Sequence, residues 1–270
     1  MRMTGNTILV TGGGTGIGRG LAESLHRSGN HVLVAGRRRE PLQAVAEANP
    51  GMQHLSLDQG DPADIRRFAA ELTESYPDLN VVINNAGIQY VEDLTAGDVG
   101  AAEATVAINL LGPIRLTAAL LPTLLGKPHA AIVNVTSRLA FMPSALIPMY
   151  CATKAALHSY TQSLRFQLRD TSVQVIEIIP PNVQTALQGE RGFSPNAVPL
   201  DEYIADTMTL LQMQPQAAEI VVERAKQFRF AERDGVYDDI YPAFNQARTA
   251  GLTAGTATSN ATRSTSTRTA

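Results

Sequence analysis

Through the first 180 residues, short apolar runs alternate with amphipathic stretches, and few folds accommodate that pattern. The spacing predicts strands at Thr7–Val10, His31–Ala35, Gln53–Leu57, Val81–Asn84, Ala130–Val135 and Val173–Ile179. Between them it predicts helices at Gly16–Arg27, Glu40–Ala48, Pro62–Ser75, a long stretch ending near Leu125, and Met149–Arg169. Asp61 is a candidate N-cap, with Pro62 at the first helical position. The strands are short and β-branched, and they do not alternate apolar with polar. Such strands belong in a sheet covered by helices on both faces. Successive β-α units with right-handed crossovers build a doubly wound parallel α/β sheet.

Beyond Pro180 the pattern loosens. Residues 186–200 hold Gly189, Gly192, Pro195 and Pro199, which suits a lid better than a core element. Asp201–Gln212 and parts of Gln216–Glu232 return to helix, and a seventh strand is expected near Ile220–Val222. From Thr249 to Ala270 the chain is almost only Thr, Ser, Ala, Gly and Arg, too poor in apolar surface to order itself. The expected organisation is one domain over residues 1–248 and a disordered tail over 249–270.

Composition narrows the function classes. A net charge of -3, with basic residues scattered apart from Arg37, Arg38 and Arg39, argues against a nucleic-acid or anionic-membrane partner. The one cysteine, Cys151, excludes an internal disulfide framework and suits a reducing compartment. No signal-peptide core is evident, and no run of about 20 uninterrupted apolar residues marks a membrane helix. The expectation is a cytoplasmic enzyme.

The first strand leads into Thr11-Gly12-Gly13-Gly14-Thr15-Gly16-Ile17-Gly18, which opens a helix. Glycines allow a tight turn and a close approach of backbone to a pyrophosphate, and the helix N-terminus offers free N–H groups. A strict G-x-G-x-x-G is not met, so a ligand-free turn stays open. After the second strand, where an NAD enzyme usually carries Asp or Glu, stands Gly36, followed by Arg37 and Arg38. An arginine fork matches a 2′-phosphate, which favours NADP(H) over NAD(H). The alternative is a solvated basic helix start, although cations there oppose the helix dipole.

Tyr150 and Lys154 lie four residues apart and share a helix face. A free phenol titrates near ~10, and a nearby ammonium together with an oxidised nicotinamide would lower that value. Such pairs are also common on helix surfaces. Ser137 ends the fifth strand at the sheet edge where open α/β proteins bind ligands, and its hydroxyl can hold a substrate oxygen opposite Tyr150. Asn84-Asn85-Ala86-Gly87 ends the fourth strand at the same edge. Asn109 sits inside a helix it does not favour.

Together, Thr11–Gly18, Asn84–Gly87, Asn109, Ser137, Tyr150-Cys-Ala-Thr-Lys154 and Pro180-Pro-Asn-Val-Gln-Thr185 resemble the short-chain dehydrogenase/reductase family in order and spacing over roughly residues 5–185. The resemblance implies a single-domain Rossmann-type fold and a hydride-transferring oxidoreductase acting on a ketone or aldehyde and its alcohol. It implies that Tyr150 is the general acid/base, that Lys154 binds the nicotinamide ribose, and that Ser137 orients the substrate oxygen. Asn109 would hold a water of the proton relay. Asn85, Ala86 and Gly87 would pack around the adenosine and ribose part of the cofactor, Asp58 would contact adenine, and Val183 and Thr185 would fix the carboxamide. No metal is implied, and the linear sequence shows no convincing cluster of metal ligands. Homodimers or homotetramers are usual in the family.

Pro181 departs from the glycine usual after the first proline. Together with Gly36-Arg-Arg-Arg-Glu40 and Lys226–Tyr237, it makes the chain similar to the DltE-type subgroup. Leu139, Phe141, Met142, Leu146, Ile147, Met149, Leu187 and Phe193 are candidates for an apolar substrate pocket, or for ordinary loop packing. His158 and Cys151 are assigned to packing or a subunit interface. A rival reading is a catalytically silent NADP(H)-sensing protein, disfavoured because both Tyr150 and Lys154 are present. An epimerase of the extended branch would need a larger C-terminal domain, and a serine hydrolase would need a G-x-S-x-G elbow.

Overall fold

The computed structural model describes residues 1–261. Seven parallel strands form one sheet in the order β3-β2-β1-β4-β5-β6-β7. They are β1 Thr7–Thr11, β2 His31–Gly36, β3 Gln53–Ser56, β4 Leu79–Asn84, β5 Ala130–Val135, β6 Val173–Ile179 and β7 Glu219–Val221. The helices are α1 Gly16–Arg27, α2 Arg39–Ala48, α3 Pro62–Ser75, α4 Gly100–Val106, α5 Gly112–Leu125, α6 Pro148–Gln167, α7 Leu200–Met213, α8 Glu223–Arg229 and α9 Tyr237–Ala261.

The period of two along each strand divides the core into two layers. Ile8, Val10, Val32, Val34 and Ile83 face α1, α2 and α7, where Leu21, Leu25, Val45 and Ile204 meet them. Leu9, Leu33, Val82, Ile132 and Val175 face α3, α5 and α6 through Phe68, Leu72, Leu116, Leu120 and Leu164. Each such side chain stabilises the fold by about 1.5–3 kcal/mol through burial. Strand order reverses between β1 and β4, so the loops leaving their C-terminal ends diverge and open a crevice. Asp61 caps α3 as expected: its carboxylate accepts from the Ala63 N–H at 2.8 Å.

The long helix expected before Leu125 is present but carries a π-helical turn at Ala107–Leu111, joining α4 to α5. Pro113 has no N–H to give the carbonyl four residues back, that of Asn109, so the α register cannot close there. Gln59 supports the turn, its amide donating to the Ile108 carbonyl at 2.9 Å. Taken whole, Gly100–Leu125 is long and apolar enough by length and composition to cross a membrane, though Glu103, Asn109 and Arg115 interrupt its apolar run. Its Leu116, Leu120 and Leu124 are spent on the sheet core.

The C-terminal boundary also moves. Helix α9 runs through Ala261, past the expected end of order at residue 248, because alanines and the Thr249 hydroxyl bonded back to the Asn245 carbonyl at 2.8 Å are compatible with continued helix. The rest of the expected tail, 262–270, lies outside the described residues.

Candidate active site

The crevice is a cleft of about 660 Å³ at the C-terminal edge of the sheet. Of the sequence-selected residues, it is lined by Gly12, Thr15, Gly16, Ile17, Arg37, Arg38, Asp58, Asn85, Ala86, Gly87, Ser137, Tyr150, Lys154, Pro180, Val183 and Thr185. Gly14, Gly18 and Asn109 do not line it. A Cβ on Gly14 would lie 3.1 Å from the Pro41 Cβ, so this glycine makes room for α2. A Cβ on Gly18 would lie 2.3 Å from the Asn85 amide nitrogen and 2.4 Å from the Gly12 carbonyl oxygen. Gly18 therefore lets the β1 and β4 loops meet beneath the cleft floor. Gly12 and Gly16 adopt φ of 66° and 55°, the left-handed region that glycine tolerates.

A residue that sequence reasoning passed over ties these loops together. Thr11, fully buried, accepts hydrogen bonds at Oγ1 from the backbone N–H of both Asn85 and Ala86 at 3.1 Å. Asn85 answers by donating from Nδ2 to the Thr11 carbonyl at 2.9 Å. The signal was the residue type: a hydroxyl at the end of a buried parallel strand needs a partner.

At the inner end of the cleft, α6 presents Tyr150 and Lys154 on one face, both buried. The Lys154 Nζ lies 5.7 Å from the centre of the Tyr150 ring and donates to the Val135 carbonyl at 2.7 Å. Burial pushes the Tyr150 phenol up to about 12, opposed by its Ser137 hydroxyl partner. Burial also pulls the Lys154 ammonium down to about 8, against the pull of the Glu177 carboxylate. In the chain by itself, desolvation of the phenolate is the largest influence on Tyr150, before the positive charge of an oxidised nicotinamide is added. Ser137 also accepts from the Leu139 N–H at 3.1 Å, which fixes its rotamer.

Asn109 stands behind this wall on the π turn. Its Oδ1 accepts from the Ile88 N–H and its Nδ2 donates to the Ile88 carbonyl, both at 2.8 Å. The same amide reaches Thr153 Oγ1 at 3.4 Å. Its side chain thus clamps the segment after Gly87 to α6 close to Lys154, since a Cβ on Gly87 would lie 3.3 Å from Asn109 Oδ1 and 3.9 Å from Lys154 Nζ. At the opposite end, Arg38 Nη2 reaches Thr15 Oγ1 at 3.4 Å, and Asp58 closes a turn by accepting from the Gly60 N–H at 2.9 Å.

With that geometry in place, comparison with known proteins is decisive. The family described as short chain dehydrogenase matches residues 6–194. The uncharacterized oxidoreductase DltE of Bacillus subtilis (strain 168) is 39% identical over 251 residues, covering 91% of this chain and 98% of its own. The chain belongs to the short-chain dehydrogenase family. Among solved structures, this dehydrogenase is similar to a short chain dehydrogenase from Burkholderia cenocepacia J2315 in complex with NADP, at TM-score 0.75 and 25% identity, covering 93% of this chain and 99% of that one. It is also similar to one from Sphingobium yanoikuyae in complex with NADPH, at TM-score 0.74 and 25% identity, covering 87% and 94%.

The substrate side of this dehydrogenase differs from the apolar pocket expected. Of the eight residues proposed for it, only Leu139 and Leu187 line the cleft. Met142 is buried against Phe228 and Ala231, Leu146 and Ile147 pack with Cys151, and Phe193 points outward at 60% exposure. Phe141 stacks on His158, ring centres 4.6 Å apart. Arg138, Arg248, Gln89 and Gln188, none selected from sequence, line the wall together with Ile88, Tyr90 and Ala186. The expected lid is held at its base by hydrogen bonds from the Gln184 N–H to the Val198 carbonyl and from the Val198 N–H to the Asn182 carbonyl, both 2.8 Å.

The fold also gathers ligand-type residues that sequence spacing kept apart. His158, Glu177 and Glu219 bring donor atoms within 4.8 Å of one another. Protein groups already engage them: Glu177 holds the His158 Nδ1 at 2.8 Å and the Thr136 hydroxyl at 2.6 Å, and Glu219 grips Arg229 through two bonds at 2.8 Å. Cys151 is buried, with Sγ accepting from the Ser144 N–H at 3.2 Å, and burial raises its thiol to about 11.

Proposed function

We propose that this dehydrogenase interconverts a ketone or aldehyde and the corresponding alcohol with NADP(H), using Tyr150 as general acid/base. The observation that carries this is the burial of a phenol, a hydroxyl and an ammonium together, from Tyr150, Ser137 and Lys154, at the inner end of a cleft whose outer end holds Arg37 and Arg38. The glycine loop fits a dinucleotide, since Gly12, Thr15 and Gly16 line the cleft at the start of α1, whose first N–H groups carry no side-chain cap. When bound there, the cofactor supplies or accepts the hydride. Gly36 in place of a carboxylate, with Arg37 and Arg38 following, supports a 2′-phosphate. The similar solved structures hold NADP, NADPH or NAD, so the choice of NADP(H) rests on these arginines.

The chain's own residues then divide the proton work. Ser137 and the Tyr150 O–H hold the carbonyl oxygen, and Tyr150 releases its proton to that oxygen as negative charge develops. Lys154 stabilises the resulting phenolate. Burial keeps the Tyr150 phenol protonated at neutral pH, the state in which it acts as an acid toward a carbonyl oxygen.

The test is Tyr150→Phe, assayed with a panel of ketones and aldehydes. General acid catalysis is worth about 10²–10⁴ in rate, and a loss of that size with NADPH affinity unchanged is expected. A fully active variant would refute the assignment.

A further inference from the structure

We infer that Arg138 and Arg248 recognise an oxyanion on the substrate, so that the preferred carbonyl compound carries an acidic group. The inference deepens the carbonyl–alcohol function proposed above. Arg138 directly follows Ser137, and Arg248 enters from α9, yet both reach the wall of one cleft beside Tyr150. Arg37 and Arg38 lie beyond β2 at the other end, so the new pair faces substrate rather than the adenosine phosphate.

Two features argue that these guanidiniums are placed to bind something. They are held by aromatic faces: Arg138 lies 4.3 Å from the centre of the Phe228 ring, and Phe244 sits between the pair at 5.9 Å from Arg138 and 5.5 Å from Arg248. Stacking orients a guanidinium while leaving its N–H edge for a ligand. Among the described residues, no carboxylate pairs with either, and the buried Arg248 Nε has no hydrogen-bond partner.

Partly buried cations normally come paired, since desolvation without a counter-charge is costly. Here burial lowers Arg138 to about 10, and the neighbouring Arg248 charge lowers it further. A bidentate oxyanion between the two would relieve both penalties. Carboxylate and phosphate share this chemistry.

The experiment compares acetoacetate with methyl acetoacetate, and dihydroxyacetone phosphate with dihydroxyacetone, using NADPH and wild-type enzyme. We expect the anionic member of at least one pair to show a KM about 10- to 100-fold lower, the range of a hydrogen bond to a charged group. Arg248→Gln should erase that difference by raising the anionic compound's KM to that of its neutral partner. Binding is read separately by calorimetry, titrating 3-hydroxybutyrate and its methyl ester into Tyr150→Phe loaded with NADP⁺. Tyr150-dependent turnover of neutral carbonyls without any acid preference would overturn the anion site and leave the proposed function standing. Acid-selective binding without turnover would overturn the function and leave the anion site. Equal binding of acid and ester, with no KM preference for the phosphate either, would refute the site.

Discussion

Thr11→Val removes a hydroxyl and keeps the shape, so it isolates what that oxygen does. Two backbone N–H groups, of Asn85 and Ala86, lose their acceptor. Ile83, whose carbonyl lies 3.4 Å from the same hydroxyl, belongs to β4 and stays in the sheet ladder. An orphaned buried donor costs about 1–3 kcal/mol, but Asn85 and Ala86 are only half-buried and water will reach them in part. The added methyl recovers some of the loss, which leaves a net destabilisation of about 2–3 kcal/mol. At about 2–4 °C per kcal/mol for a chain of this size, the Tm falls by about 4–12 °C. Because Asn85 and Ala86 line the cleft, NADPH affinity should fall as well, while Thr11→Ser restores both properties. Calorimetric melting and cofactor titration check this together. A Thr11→Val enzyme that melts within 1 °C of wild type would mean the loop is held by the Asn85 amide alone.

Lys154 sets a pH signature. Its ammonium is lowered to about 8 from an ordinary 10.5, so between those values the unfolded chain holds a proton that the folded chain has released. Stability from this group therefore rises with pH across that window, and Tyr150, raised to about 12, opposes it only above about pH 10. Denaturant midpoints measured from pH 8 to 10 should climb more steeply for wild type than for Lys154→Met, and identical slopes would count against the buried ammonium. Arg37→Ala should weaken NADPH about tenfold while changing NADH little, since one arginine–phosphate bond is lost. Equal loss for both cofactors would remove the basis for the NADP(H) preference.

The sheet was legible because its signals are local: strand composition, the glycine loop after β1, and the Asp61-Pro62 helix start. Tyr150 and Lys154 were legible because one helix turn brings them together. What escaped notice depends on long-range placement. Arg138 and Arg248 are 110 positions apart in sequence, and only the packing of α9 on α8 brings them to one wall. The apolar pocket failed because hydrophobic residues near a site mostly serve the core, as Met142 and Ile147 do. The π turn had a readable cause in Pro113, four residues after Asn109, but its consequence lay in a contact with Ile88 that no spacing announces. The burial that raises Tyr150 and lowers Lys154 was not legible, because it comes from packing around α6.

The aromatic seam beneath α9 has an evolutionary corollary. Phe228 of α8 meets Phe244 of α9 at 4.9 Å, and Phe244 and Asn245 also tie the helix carrying Arg248 to the segment before α6, beside Tyr150. The sheet and the glycine loop are built without it. Selection can therefore exchange one arm of the substrate wall at positions of the terminal helix outside those contacts, while the nucleotide-binding half of the enzyme stays as it is.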